Sequence, residues 1–518
     1  FEMLGEVQVA DSYDVVEAVA AQPWVRGGRV GLVGFSYGGL GALEAASGAP
    51  PSLSGVAALS VYGEARQAFH PGGLSNSGFP VGWMQDLSED AAPAGADWVQ
   101  RRIADGDAAC ARNQLLHGQA VDLIDRYLGD APDDGRFDAL SPATWAPSID
   151  VPVFLAGQLQ DATIGTDLAD HLEAFSAAPV RRLVLTNGTH GDAVSPQVLR
   201  RMDQFLSLYV AGEVPGEFDT AELLAETRPE VDPDLVPDGP APLDLTAEPD
   251  LDAARGAYAA APSVEVLFES GNGGRPQAAA AATSMTFATW PPSEADLDEL
   301  ALAPGGRLAD AGAAEPEPVR FTTDGSVSGE AYNIEGSDLV TNAVSPWVAP
   351  DPATAADWIS TPMARDVALV GSTELELWVR LDQRDVDLQA TLSEVAADGS
   401  ETFIQAGWRR ASDAADVVQP GAWTIVPIRL GPVGHLLRAG SRLRLVVGTP
   451  GDGQVQWSFY PPPHDGVTVE VGQGGAAPST LRVPSVATSA APAPAACGDL
   501  RGQPCRTYAP LAAAAPAS

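Results

Sequence analysis

A serine flanked by glycines, in "RVGLVGFSYGGLGALEAAS" at 29–47, is the residue of this chain best placed to do chemistry. A serine hydroxyl that attacks a carbonyl needs an imidazole to take its proton and a carboxylate to hold that ring. The bare G-x-S-x-G pattern around Ser36 is weak support, because Gly makes up 53 of 518 residues. Its flanks add to it. Gly31, Leu32 and Val33 form an apolar run suited to a buried parallel strand, and Leu40 to Ala46 is rich in helix formers. Ser36 then falls in a strand-to-helix turn, the setting of a nucleophile elbow, with Gly34, Gly38 and Gly39 relieving its crowding. The Tyr37 backbone N–H, at the start of the helix, would face a developing oxyanion. The competing reading is a glycine-rich turn with a buried serine.

Order along the chain selects the partners. In hydrolases built on such an elbow the acid follows the serine and the histidine comes last. The strand expected in "VPVFLAGQLQD" leaves Asp161 just past its end, and the one in "RRLVLTNGTHGD" leaves His190 in the loop beyond it. Loops at the C-terminal ends of parallel strands converge on the edge that carries the elbow. The chemistry read here is therefore acyl transfer by Ser36, His190 and Asp161. Asp161 can instead cap the following helix, and Asp167 is a second acid, though it falls inside that helix. His190 can be an ordinary turn residue, with Asp192 a neighbouring charge. His171 reads as a surface residue. His70 and His117 lie where they can line a pocket or only support it, and His435 and His464 read as structural.

Elements must hold these residues. Residues 11–22 read as an amphipathic helix, with Val15, Val16 and Val19 near one face and Asp11 or Ser12 as cap. Strand 29–33, helix 39–47 and a buried strand in 56–63 follow, the alternation of a parallel α/β sheet. From 64 to 148 no strand is evident and helices are expected near 97–105 and 113–128. Strand 151–158, helix 166–177, strand 181–187 and a helix over 195–211 resume the alternation. Residues 213–262, rich in Pro, Asp, Glu and Ala, read as a linker. From 263 to 486 short alternating strands such as "SVEVLFE", "SMTFATW" and "TELELWVRL" indicate an antiparallel sandwich or jelly roll. Residues 487–518 read as a low-complexity tail. The domains expected are a hydrolase core in two parts (1–63 and 149–212), a helical cap insertion (64–148), the linker, the jelly roll and the tail.

Bulk composition excludes some functions. The formal net charge is −40, which opposes nucleic acid as a partner. All 29 basic residues are Arg. No run of apolar residues is long enough to span a bilayer, and no cysteine spacing suits zinc. Cys497 and Cys505 in "CGDLRGQPC" suit a local disulfide and hence a secreted or extracytoplasmic location, whereas Cys110 reads as buried.

The chain resembles the cocaine-esterase and Xaa-Pro dipeptidyl-peptidase group of serine α/β-hydrolases. "AAQPWVRGGRVGLVGFSYGG" is similar to the family's approach to its elbow, and "VPVFLAGQLQD" to the strand carrying its acid. "LTNGTHGD" stands where the family more often has G-P-W-x-H. "FATWPPSEADLDELALAPGGRL" resembles the approach to its C-terminal jelly roll, and "DVDLQATLSEVAADGS", "AGWRRAS" and "GHLLRAGSRLRLVV" resemble the body of it. The resemblance implies hydrolysis of small ester, amide or peptide substrates without metal or organic cofactor. It says nothing about oligomeric state. It also implies strands before the elbow and a second oxyanion donor, often a tyrosine, from a region that the 35 residues before Ser36 do not supply. A longer natural N-terminus is therefore expected, and a chain of residues 1–518 alone is expected to fold poorly or be inactive. Within the class, a broad esterase and an Xaa-Pro dipeptidase remain open; Asp86, Glu89 and Asp90 are available to hold a free amine. The alternative from another class is a degenerate hydrolase bearing a carbohydrate- or surface-binding module, with Trp408, Trp423 and Trp457 as its face.

Overall fold

The computed structural model of the chain describes residues 3–115, 122–129, 135–227, 229, 231–310, 312, 316–325, 339–340, 347–414, 418–451, 457–460, 465–488 and 491–511. Its first sheet has the order β1-β2-β3-β4-β5-β6, with β1 Val30–Phe35, β2 Leu53–Leu59, β3 Val153–Gln158, β4 Arg181–Thr186, β5 Val264–Phe268 and β6 Thr283–Phe287. The first five strands pair in parallel and β6 returns antiparallel to β5. Alternation along the strands assigns each face its core. Val56, Ala58, Val153, Leu155, Leu183 and Leu185 face one side, and Ala57, Leu59, Phe154, Ala156 and Val184 the other. Helix α1 (Glu6–Ala20) and helix α2 (Tyr37–Ser47) belong to the first side. Val16 is buried, but Val15 is exposed, so the apolar face of α1 is narrower than the sequence pattern suggests. The helix also starts before Asp11 and Ser12, with Gly5 at its cap.

Between β2 and β3 the described residues form helices α3 Ala65–Phe69, α4 Phe79–Ala91, α5 Asp97–Ala104, α6 Ala108–Asn113, α7 Leu123–Leu128 and α8 Pro142–Trp145, and one isolated β-bridge from Asn76 to Phe459. This segment packs Phe69, Met84, Tyr127 and Phe137 onto the core that α2 shares. Part of the helix expected over 113–128 lies outside the described residues. The expected helix 166–177 is a 3-10 helix, Asp167–Ala174. Helix α9 (Pro196–Leu206) and the π-helical turn Ser207–Ala211 cover the second face.

Three expectations are corrected. Residues 213–262 contain helix α10 (Thr220–Thr227) and helix α11 (Leu251–Ala260), and Ala254 and Tyr258 of α11 are buried with Phe205 against the sheet. The segments "SVEVLFE" and "SMTFATW" are β5 and β6 of the first sheet, so the change of sheet comes after Phe287 rather than at 263. Residues 491–511, expected as tail, fold back onto the protein: Arg501 and Gln503 are buried and Cys497 is bonded to Cys505.

The second sheet is largely antiparallel and has twelve strands. They are β7 Asp296–Ala303, β8 Arg307–Ala309, β9 Val319–Thr322, β10 Ala355–Ser360, β11 Val367–Leu381, β12 Asp387–Val395, β13 Ser400–Arg410, β14 Trp423–Leu437, β15 Arg442–Gly448, β16 Thr468–Val471, β19 Thr480–Ala487 and β20 Cys505–Thr507; a small ribbon pairs β17 (Gln473–Gly474) with β18 (Ala477–Pro478). Its core holds Trp358, Leu375, Leu377 and Leu445. It touches the first unit where Gly434 closes on Leu159 and Val266, and where Gln405 Nε2 donates to the Leu159 carbonyl at 2.8 Å. The end of β3, from which Asp161 follows, is thus pinned from both units.

Candidate active site

Ser36 follows β1 with φ 57° and ψ −126°, a left-handed strained conformation at the first turn of α2. The sequence permits it because Gly34 and Gly39 carry no Cβ. One at Gly34 would lie 2.0 Å from the Gly38 carbonyl oxygen, and one at Gly39 2.7 Å from Val61. Gly38, expected to relieve crowding as well, has open space where a Cβ would go. The Ser36 N–H donates to the Leu59 carbonyl at 2.8 Å, which ties the elbow to β2.

The loops after β3 and β4 bring the other two residues to this edge. His190 Nε2 lies 2.9 Å from Ser36 Oγ, and its Nδ1 lies 2.7 Å from Asp161 Oδ2. The Asp161 carboxylate is buried, and its Oδ1 accepts from the N–H groups of Thr163 at 2.9 Å and Ile164 at 3.2 Å. Asp161 therefore caps the following turn and holds the histidine at once. The His190 ring packs 4.9 Å from that of Phe35. An imidazole held on one nitrogen by a carboxylate and facing a hydroxyl with the other can take the hydroxyl proton.

Tyr37 opens α2, so its N–H is a first-turn donor without an intrahelical acceptor. Its phenol is engaged elsewhere. It donates to the Met3 carbonyl and packs edge-on to Trp83. Burial, and then the nearby Glu44 carboxylate, push the Tyr37 pKa up to about 12, so the hydroxyl keeps its proton.

The remaining candidates have structural partners. Asp167 accepts from the N–H groups of Gly63 and Glu64 at 3.1 and 2.8 Å and lies 3.5 Å from His171. Burial opposes charge on His171, but Asp167 and Glu64 outweigh it and raise its pKa. His171 is therefore half-buried rather than a surface residue. His70 Nε2 is 2.7 Å from the Tyr127 carbonyl, within the helical segment between β2 and β3. His435 pairs with Glu394 at 2.8 Å. His117 and His464 lie outside the described residues. Asp86, Glu89 and Asp90 are exposed on α4. Cys110 is half-buried and free. Trp408 and Trp457 stack 4.7 Å apart and are buried, and Arg380 lies over Trp423. The first two thus pack with Leu74, which lies between β2 and β3, at the edge of the second sheet.

Sequence reasoning missed two supports. Ser60, at the end of β2, has φ 50° and donates from Oγ to the His190 carbonyl at 2.8 Å. Its signal was its place: a serine at the C-terminal end of the strand next to the elbow. The second is Arg501, paired with Asp192 across 309 residues, which no local pattern indicates. Among the described residues no cluster of His, Cys, Asp and Glu suits a metal ion, and no helix is long and apolar enough to cross a membrane.

Residues 1–192 match the X-Pro dipeptidyl-peptidase (S15 family), and residues 256–473 match the X-Pro dipeptidyl-peptidase C-terminal non-catalytic domain. Among solved structures, a CocE/NonD family hydrolase from Staphylococcus aureus aligns over 94% of this chain and 77% of its own, with 18% identity and a TM-score of 0.64. An aminopeptidase from a marine sediment Thaumarchaeota archaeon aligns over 93% and 80%, with 16% identity and a TM-score of 0.60. An alpha-amino acid ester hydrolase aligns over 92% and 80%, with 13% identity and a TM-score of 0.56. At these identities the likeness is one of fold. No curated protein sequence matches the chain.

Proposed function

This chain is a hydrolase that joins an X-Pro dipeptidyl-peptidase (S15 family) region to the C-terminal non-catalytic domain of such peptidases, and on that premise we propose that it cleaves ester or amide bonds through a serine acyl-enzyme. Ser36 attacks the carbonyl carbon while His190 Nε2 takes the hydroxyl proton. The Tyr37 N–H donates to the oxyanion. His190 returns the proton to the leaving alcohol or amine as the C–O or C–N bond breaks. Water, deprotonated by the same ring, then releases the acid and restores Ser36. Asp161 fixes the ring throughout. The single observation that carries this reading is the continuous pair of hydrogen bonds from Ser36 Oγ through His190 to Asp161.

Ser36→Ala is expected to abolish turnover of p-nitrophenyl acetate, by about 10⁴-fold or more, with an unchanged circular dichroism spectrum. A fluorophosphonate should label the native chain and not the variant. Retained activity in Ser36→Ala would sink the mechanism. A second reading, an Xaa-Pro dipeptidyl aminopeptidase, is favoured by the description of the family matched over 1–192; faster cleavage of Ala-Pro-p-nitroanilide than of simple esters would select it. We further propose that the second sheet folds as a jelly roll, that the α3–α8 segment is a cap over the acyl site, and that further strands of the hydrolase sheet pair on the free edge of β1. Val33 and Phe35, exposed along that edge, support the last point. The Cys497–Cys505 bond supports a secreted or extracytoplasmic location.

A further inference from the structure

The C-terminal segment ends against the loop that carries His190. Arg501 is buried, and its guanidinium grips both oxygens of the buried Asp192: Nε lies 3.0 and 2.9 Å from Oδ1 and Oδ2, and Nη2 lies 2.6 Å from Oδ1. Asp192 Oδ2 in turn accepts the N–H of Thr189 at 3.0 Å, the residue before His190, and the Asp192 N–H donates to the Thr189 carbonyl at 2.9 Å. The next residue, Gly502, sits at φ +66°, where a Cβ would meet Gln160 at 2.7 Å and Thr189 at 3.2 Å. Gln160 precedes Asp161, and its Oε1 accepts the Gly188 N–H at 2.9 Å. Residues 501–502 therefore touch the chain immediately before both the acid and the base.

The far end of the segment is anchored in the second sheet. Strand β20 pairs with β13, Gln503 Nε2 donates to the Phe403 carbonyl at 2.8 Å, and Arg506 Nε pairs with the buried Glu401 at 2.9 Å. The Cys497–Cys505 disulfide closes a loop that contains Arg501. The closed loop holds the arginine at a fixed height over the His190 loop, and ordering the same residues without it costs more backbone entropy.

We propose that Arg501 is a positioning residue for His190, acting through Asp192, and that the Cys497–Cys505 disulfide makes this clamp sensitive to redox state. The proposal rests on His190 being the general base. Reduction by a dithiol adds two electrons and two protons to the S–S bond, gives two cysteine thiols, and releases the reductant as a cyclic disulfide. The freed loop then orders the guanidinium on Asp192 at a higher entropic cost, against the remaining hydrogen bonds of Arg501 to the Gln277 and Ser270 carbonyls. Misplacing a catalytic group by about 1 Å can cost on the order of 10²-fold in rate.

The test compares native chain, Arg501→Gln, Arg501→Lys and a Cys497→Ser/Cys505→Ser double variant, with folding at assay temperature checked by circular dichroism. For p-nitrophenyl acetate, Arg501→Gln should lower kcat by about 10- to 100-fold with KM within about twofold, and its fluorophosphonate labelling should slow in parallel. Arg501→Lys should recover part of the loss. Dithiothreitol should reproduce the loss in the native chain as its titratable thiols rise from one to three, reverse on reoxidation, and leave the double variant unchanged. A folded Arg501→Gln with native kcat would overturn the positioning role. Undiminished kcat with three thiols titrated would overturn the redox clamp. If Arg501→Gln does not fold, Arg501→Lys and the dithiol arm decide. A native chain that neither turns over substrate nor takes the label removes the hydrolase reading, and this proposal with it.

Discussion

Three side chains, from the ends of β1, β3 and β4, meet within hydrogen-bond distance at one sheet edge. Asp161→Asn should keep that geometry but favour the wrong ring tautomer, and kcat should fall on the order of 10³- to 10⁴-fold, read from p-nitrophenyl acetate kinetics. Glu44 gives a second prediction. Burial pushes its pKa from 4.5 up to about 7, against the opposing hydrogen bond from the Gly5 N–H. The folded form thus holds this proton more tightly than the unfolded one. Stability from this group is full below about pH 4.5 and is lost as pH rises towards 7. Glu44→Gln should flatten that part of the urea-denaturation stability profile and be the more stable protein at pH 8, by about 1–2 kcal/mol.

At the scale of elements, the elbow depends on which glycine is removed. Gly34→Ala forces a methyl group into the Gly38 carbonyl, 2.0 Å away, and should destabilise by about 3 kcal/mol or more. Gly38→Ala meets nothing and lies in helix α2, so it should leave stability unchanged or raise it by up to about 1 kcal/mol. Thermal melts of the pair test this; equal losses would refute the packing argument. The sequence showed a glycine-rich turn but not which glycine was crowded, because crowding depends on how α2 sits over β1. The strands were legible for a simpler reason: β2, β3 and β4 are short apolar runs buried on both faces. Helix α11 was not, since Ala, Asp and Arg in "LDAARGAYAA" read as polar linker until Tyr258 finds the sheet.

The whole molecule carries a formal charge of −40. Like charges at such density repel within the folded chain, and salt screens them over about 10 Å at 0.1 M. Raising sodium chloride from low to about 0.5 M should increase Tm in calorimetry; a flat response would mean the charges are offset by the Arg pairs already present. The two units also meet at β3, where Gln405 of the second sheet donates to the Leu159 carbonyl. The residue types and order of Ser36, Asp161 and His190 were set by the sequence alone, as was the alternation of strands and helices around them, because both are written in local periodicity and in chain order. Tertiary structure alone decided that β5 and β6 belong to the first sheet, that Ser60 supports the histidine loop, and that Arg501 reaches Asp192. Those pairings join residues far apart in the chain, and their stabilisation comes from burying complementary groups against each other, which no short window of sequence contains.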